Sequence, residues 1–120
     1  HLDKWNVKKG EIAKKYSAQI TSPFVTTPVN DVHVSRNVYH IYPILTDRRD
    51  ELQSYLLDRE IPTIIHYPIP IQKSEPFKHL DSPSNPITCG RAQKLLSLPM
   101  HPYLENEEIE YITTTINEFK

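Results

Sequence analysis

This chain has one cysteine and two glycines in 120 residues, and no apolar run approaches the roughly 20 residues that cross a bilayer. Cys89 alone can close no internal disulfide and build no thiolate metal cluster, which excludes secreted disulfide scaffolds and zinc ribbons. Gly10 and Gly90 lie far apart, and neither GxGxxG nor GxxxxGK[ST] can be written. So few residues that tolerate positive φ argue against a self-contained nucleotide-binding domain. The N-terminus lacks the pattern of a signal peptide. Charge of one sign is missing too: 14 Lys and Arg stand against 15 Asp and Glu, leaving no cationic footprint for nucleic acid. These absences predict a soluble cytoplasmic domain with neither nucleic acid nor membrane as partner. The histidines form no i, i+3 or i, i+4 pair and no His-x-His, so no metal site is predicted.

What is present reads as one α/β (α+β) domain. The chain opens within a helix that has no cap before Leu2, as a piece of a longer protein would. Leu2, Trp5, Ile12, Ala13, Tyr16 and Ile20 share one narrow arc at 100° per residue, predicting an amphipathic helix over 1–20 with Lys9 snorkelling from its stripe. So narrow a stripe needs a partner surface. Residues 1–20 carry net +3 and residues 105–120 net -4, read as two solvated helix faces that attract each other.

Pro23 ends the first helix, and Phe24–Pro28 reads as a short extended segment before an Asn30-Asp31 turn. The β-branched and aromatic residues over 37–46 predict a strand, with Pro43 at an edge or a bulge. Asp47 is the predicted N-cap of a helix over 48–60 that buries Leu52, Tyr55 and Leu56, although Arg48 and Arg49 oppose its dipole. A further strand is expected over 62–67, then a loop from 68 to about 84 stiffened by Pro68, Pro70 and Pro76. Asn85-Pro86 begins a third helix that turns Cys89, Ala92, Leu95 and Leu96 inward and stops before Pro99. Ile109, Ile112, Ile116 and Phe119 mark a last helix over 105–118. The expected architecture is therefore a small antiparallel or mixed three-stranded sheet, from 24–28, 37–46 and 62–67, packed with about four helices.

Five segments carry a resemblance: Leu2-Asp3-Lys4-Trp5-Asn6, Val38-Tyr39-His40-Ile41-Tyr42, Arg49-Asp50-Glu51-Leu52, His66-Tyr67-Pro68-Ile69-Pro70 and Leu96-Ser97-Leu98-Pro99-Met100-His101-Pro102. In order and spacing the chain resembles the C-terminal part of DegT/DnrJ-type sugar aminotransferases, which are fold-type-I pyridoxal-phosphate enzymes. The resemblance implies that 1–120 is a C-terminal small domain, with 1–20 a bridging helix toward a missing large domain. It implies that the parent moves an amino group, from glutamate, onto a nucleotide-linked keto-sugar in polysaccharide or lipopolysaccharide biosynthesis. The parent would be a homodimer holding pyridoxal phosphate in its large domains. This piece would carry no catalytic lysine, no cofactor-binding residue and no activity of its own. Where the family commonly has a histidine after the proline run, this chain has Gln72, and Glu75-Pro76 replaces the usual Gln-Pro pair.

The candidate substrate-binding residues are His66, Tyr67, Gln72 and His40. His66 and Tyr67 point to opposite sides of a strand end that leads into the stiff loop, offering a hydrogen-bond donor and a flat ring to a nucleotide-sugar. A histidine bonded to backbone, a tyrosine in the core and a core His40 are the structural alternatives. A non-catalytic α/β interaction module is the functional alternative to the enzyme domain.

Overall fold

The computed structural model describes residues 1–29, 37–77, 79 and 86–120. Four helices surround a small antiparallel sheet: α1 spans Leu2–Gln19, α2 Arg49–Leu57, α3 Pro86–Lys94 and α4 Asn106–Glu118. Two strands, β1 over Tyr42–Leu45 and β2 over Leu95–Leu98, pair with Tyr42 opposite Leu98 and Ile44 opposite Leu96. These four residues share one face of the ladder, and each is no more than 3% exposed. The α4 stripe of Ile109, Ile112, Ile116 and Phe119 completes the core together with Leu52, Leu56 and the second half of α1.

The sheet differs from the expected three strands. Residues 24–28 and 62–67 each contribute a single bridge, Thr26 to Leu45 on the outer side of β1 and Ile64 to Ser97 on the outer side of β2. Prolines limit each edge in one direction. Bonded pairs in an antiparallel ladder recur every second residue, so the pair after Thr26–Leu45 would be Pro28–Pro43. On the other edge, the pair after Ile64–Ser97 would be Pro62–Pro99. None of the four has an N–H to give, so neither edge continues past its bridge in that direction.

Leu95–Leu98 is a strand, whereas its sequence reads as the end of the third helix. Leu95 and Leu96 suit either period, but Leu96 and Leu98 face the core while Ser97 faces the other side, and Pro99 disfavours helix in the residue before it. The predicted cap Asn85 and the Asn30-Asp31 turn lie outside the described residues. Asp47 does not cap α2: its carboxylate meets Lys94 at 2.5 Å, and the Arg48 N–H donates to Thr46 Oγ1 at 3.2 Å. Arg48 and Arg49 sit at the α2 N-terminus because other groups hold them. Arg48 lies 4.5 Å above the Phe119 ring and bonds Glu51, while Arg49 reaches Asp50 and the Ala92 carbonyl.

The stripe of α1 is buried only in its second half. Ile12, Ala13 and Tyr16 are within 2% of full burial, whereas Leu2 is 67% and Trp5 41% exposed. Among the described residues no ion pair joins α1 to the acidic α4. Instead Lys15 bonds Asn106, Thr113 Oγ1 donates to Gln19 Oε1, and Asn117 grips the turn after α1.

Candidate functional site

The ladder that buries Tyr42, Ile44, Leu96 and Leu98 on one face turns Leu95 and Ser97 to the other. Against that second face lies the segment leaving Ile64, locked by the reciprocal bonds of Ile64 N–H to Ser97 C=O, 3.2 Å, and Ser97 N–H to Ile64 C=O, 2.8 Å. Two residues on, His66 Nδ1 stands 3.0 Å from Ser97 Oγ. The His66–Tyr67 peptide is cis, and the two rings meet edge to face at 5.7 Å. Tyr67 is 75% exposed, so the core alternative for it does not hold.

Beyond Pro70 the chain makes two 3-10 turns, Ile71–Lys73 and Glu75–Phe77. Ser74 ties the first with its hydroxyl on the Ile71 carbonyl at 2.7 Å. The turns and α3 enclose a groove of about 430 Å³. His66, Tyr67 and Ile71 form one wall, Ile87 and Arg91 the other, and Leu95 lies in the floor. The groove is mostly apolar, with Arg91 as the one permanently charged lining residue among those described. That pattern, an apolar cleft with few polar groups, suits a ligand with a flat ring and an anionic part.

The structure thus brings His66 and Tyr67 together in one groove and leaves out the other two candidates. Gln72 is half-buried on the first 3-10 turn without lining the groove, and His40 is exposed in a bend before β1. The predicted strand over 37–46 would have held His40, but the strand begins only at Tyr42. Arg91 and Ser97 went unnoticed in the sequence. Arg91 sits on the α3 face toward the loop, a placement legible only once α3 and the loop are set side by side. Ser97 reads as a helical residue until β2 is recognised.

A second hollow of about 320 Å³ lies at the start of α2, but its cations are already matched, Arg48 by Glu51 and Lys94 by Asp47. The perturbed titrating groups lie outside the groove as well. Burial pushes the Tyr16 phenol well above its ordinary value, helped by Tyr42 and Glu108, and burial raises Tyr42 despite its bond to Ser17. Glu51 is held below the usual carboxylate range by its bond to Arg48.

The model of the DegT/DnrJ/EryC1/StrS aminotransferase family matches residues 1–117. The chain belongs to this family. Among its family relatives, a dTDP-3-amino-3,6-dideoxy-alpha-D-galactopyranose transaminase of Aneurinibacillus thermoaerophilus is 32% identical over 120 residues, covering 99% of this chain and 32% of the relative. A dTDP-3-amino-3,4,6-trideoxy-alpha-D-glucose transaminase of Streptomyces venezuelae is 33% identical over 122 residues, 99% of this chain and 32% of its own length. The crystal structure of S. venezuelae DesV in complex with a ketimine intermediate superimposes with a TM-score of 0.87 at 30% identity, covering 98% of this chain and 32% of that one. The chain therefore spans about a third of the length of the relatives it matches.

The aminotransferases of this family use pyridoxal phosphate. Every described lysine is exposed or half-buried, and none lines the groove.

Proposed function

We propose that this chain is the C-terminal small domain of a nucleotide-sugar aminotransferase, and that the groove beside His66 receives the nucleotide-sugar. In this reading α1 bridges to a large domain that holds pyridoxal phosphate and the lysine that carries it. The parent is a cytoplasmic homodimer that takes its amino group from glutamate and serves polysaccharide or lipopolysaccharide biosynthesis.

The observation that carries the substrate reading is the groove itself. A histidine braced on the sheet, an exposed tyrosine ring and one arginine converge on a cleft whose loop wall is stiffened by Pro68 and Pro70. Stiffness lowers the entropy lost when a ligand orders the wall. Tyr67 offers a face for a base or sugar, His66 a hydrogen bond, and Arg91 a charge for the diphosphate. Membership of the aminotransferase family over 1–117 supports the reading of the whole. The exposed Leu2, Trp5 and Val7 on the first half of α1 support a covering surface there.

The test is His66→Ala in the full-length protein, assayed with glutamate and a panel of nucleotide-linked keto-sugars. The KM for the accepted sugar rises about five- to 150-fold, as loss of about 1–3 kcal/mol implies, while cofactor absorbance stays unchanged. Wild-type sugar kinetics, or loss of cofactor in its place, would show that the groove is not the sugar site.

A further inference from the structure

Ser97 stands out among the buried polar side chains. It is 4% exposed, and its hydroxyl has His66 Nδ1 as its one hydrogen-bond partner among the described residues, at 3.0 Å. Its backbone also fixes the approach of the histidine through the two bonds to Ile64. A serine hydroxyl carries one hydrogen, and a buried hydrogen without an acceptor is costly. If the imidazole donated from Nδ1, the Ser97 hydrogen would have no partner among the described residues. If Ser97 donates to Nδ1, both groups are satisfied and the ring proton resides on Nε2.

We infer that Ser97 is a positioning residue: it donates to His66 Nδ1, fixing the imidazole as the Nε2–H tautomer and presenting that N–H to the groove as a donor. The groove then offers, beside the hydroxyls of Tyr67, Ser74 and Thr88, two groups that donate and cannot accept, His66 Nε2–H and the Arg91 guanidinium, a pairing suited to an acceptor-only partner. Diphosphate oxygens are such acceptors, whereas sugar hydroxyls both give and take. The consequence for substrate binding rests on the groove being the nucleotide-sugar site; the tautomer does not.

Two measurements separate these parts. In the 120-residue chain, with its fold checked by circular dichroism, 15N shifts of the neutral His66 ring read Nε2 as protonated and Nδ1 as bare. In Ser97→Ala the two tautomers become mixed, and Ser97→Thr, which keeps the hydroxyl on a residue suited to a strand, restores the first. In the full-length enzyme Ser97→Ala raises the KM for the nucleotide-sugar by about three- to tenfold with kcat little changed, the size of one ordinary hydrogen bond. On a His66→Ala background the same substitution has no further effect, because it acts through His66. Unmoved 15N shifts, or an equal KM effect with and without His66, would overturn the inference. Shifts that move while sugar kinetics stay at wild type would uphold the positioning and overturn the groove as sugar site.

Discussion

Asn117 gives the sharpest test of how α1 is held. Its Oδ1 accepts from the Thr21 N–H at 2.8 Å and the Ser22 N–H at 3.0 Å, and its Nδ2 donates to the Gln19 carbonyl at 2.8 Å. One amide on α4 thus takes the place of the glycine that commonly closes a helix C-terminus, satisfying donors and an acceptor that α1 leaves open. Asn117→Ala removes all three bonds. At about 0.5–1.5 kcal/mol each, and toward the low end because Asn117 is exposed and water can replace it, the loss is about 1.5–3 kcal/mol. For a domain of this size that is a fall in Tm of about 6–12 °C. In urea the midpoint drops while the slope m stays constant. Thr114→Ala, an exposed site on the same helix, changes stability by less than about 0.5 kcal/mol and serves as control. Asn117→Asp keeps the acceptor but sets a carboxylate oxygen against the Gln19 carbonyl, so its loss falls between the two. An alanine variant within about 0.5 kcal/mol of wild type, or an aspartate variant equal to it, would refute the reasoning.

Three further outcomes follow from the same geometry. Because burial raises the Tyr16 and Tyr42 phenols above the usual value of about 10, the unfolded chain releases their protons first; stability is full below that pH and declines above it, by up to about 1.4 kcal/mol per pH unit for each phenol, as an alkaline denaturation series would record. Arg91→Ala in the full-length enzyme raises the KM for the nucleotide-sugar and flattens its dependence on salt, with Arg91→Lys in between, and an unchanged salt dependence would remove Arg91 from the site. Borohydride reduction of this chain with pyridoxal phosphate leaves no lysine modified stoichiometrically; one lysine fully modified by mass spectrometry would place a cofactor site here.

The parts of the fold legible in the sequence are those where a single period governs a whole element. Ile109, Ile112, Ile116 and Phe119 repeat on one side of α4, and all four are buried. The first and second helices were legible for the same reason. Leu95–Leu98 was not, since two adjacent leucines satisfy a helix and a strand equally and only pairing with β1 decides. The segments around Thr26 and Ile64 read as strands from composition, but their ladders depend on which residue stands opposite, and that is a property of register. The site divides in the same way. His66 and Tyr67 announce themselves by the proline run behind them, whereas Arg91 and Ser97 join the groove through contacts between elements remote in sequence.

The register of each edge bridge would set proline opposite proline at its next bonded position, Pro28 with Pro43 and Pro62 with Pro99, and this bears on how the protein meets other molecules. An open sheet border is ordinarily a template on which another chain can align its own backbone. Here the template is blank on the proline side of each bridge. A strand laid along either edge cannot carry the ladder through those proline positions, and association there proceeds through side chains. Both proline pairs fall at the same end of the ladder, beside Tyr42 and Leu98, so that end of the sheet is blunted as a template for polymerisation.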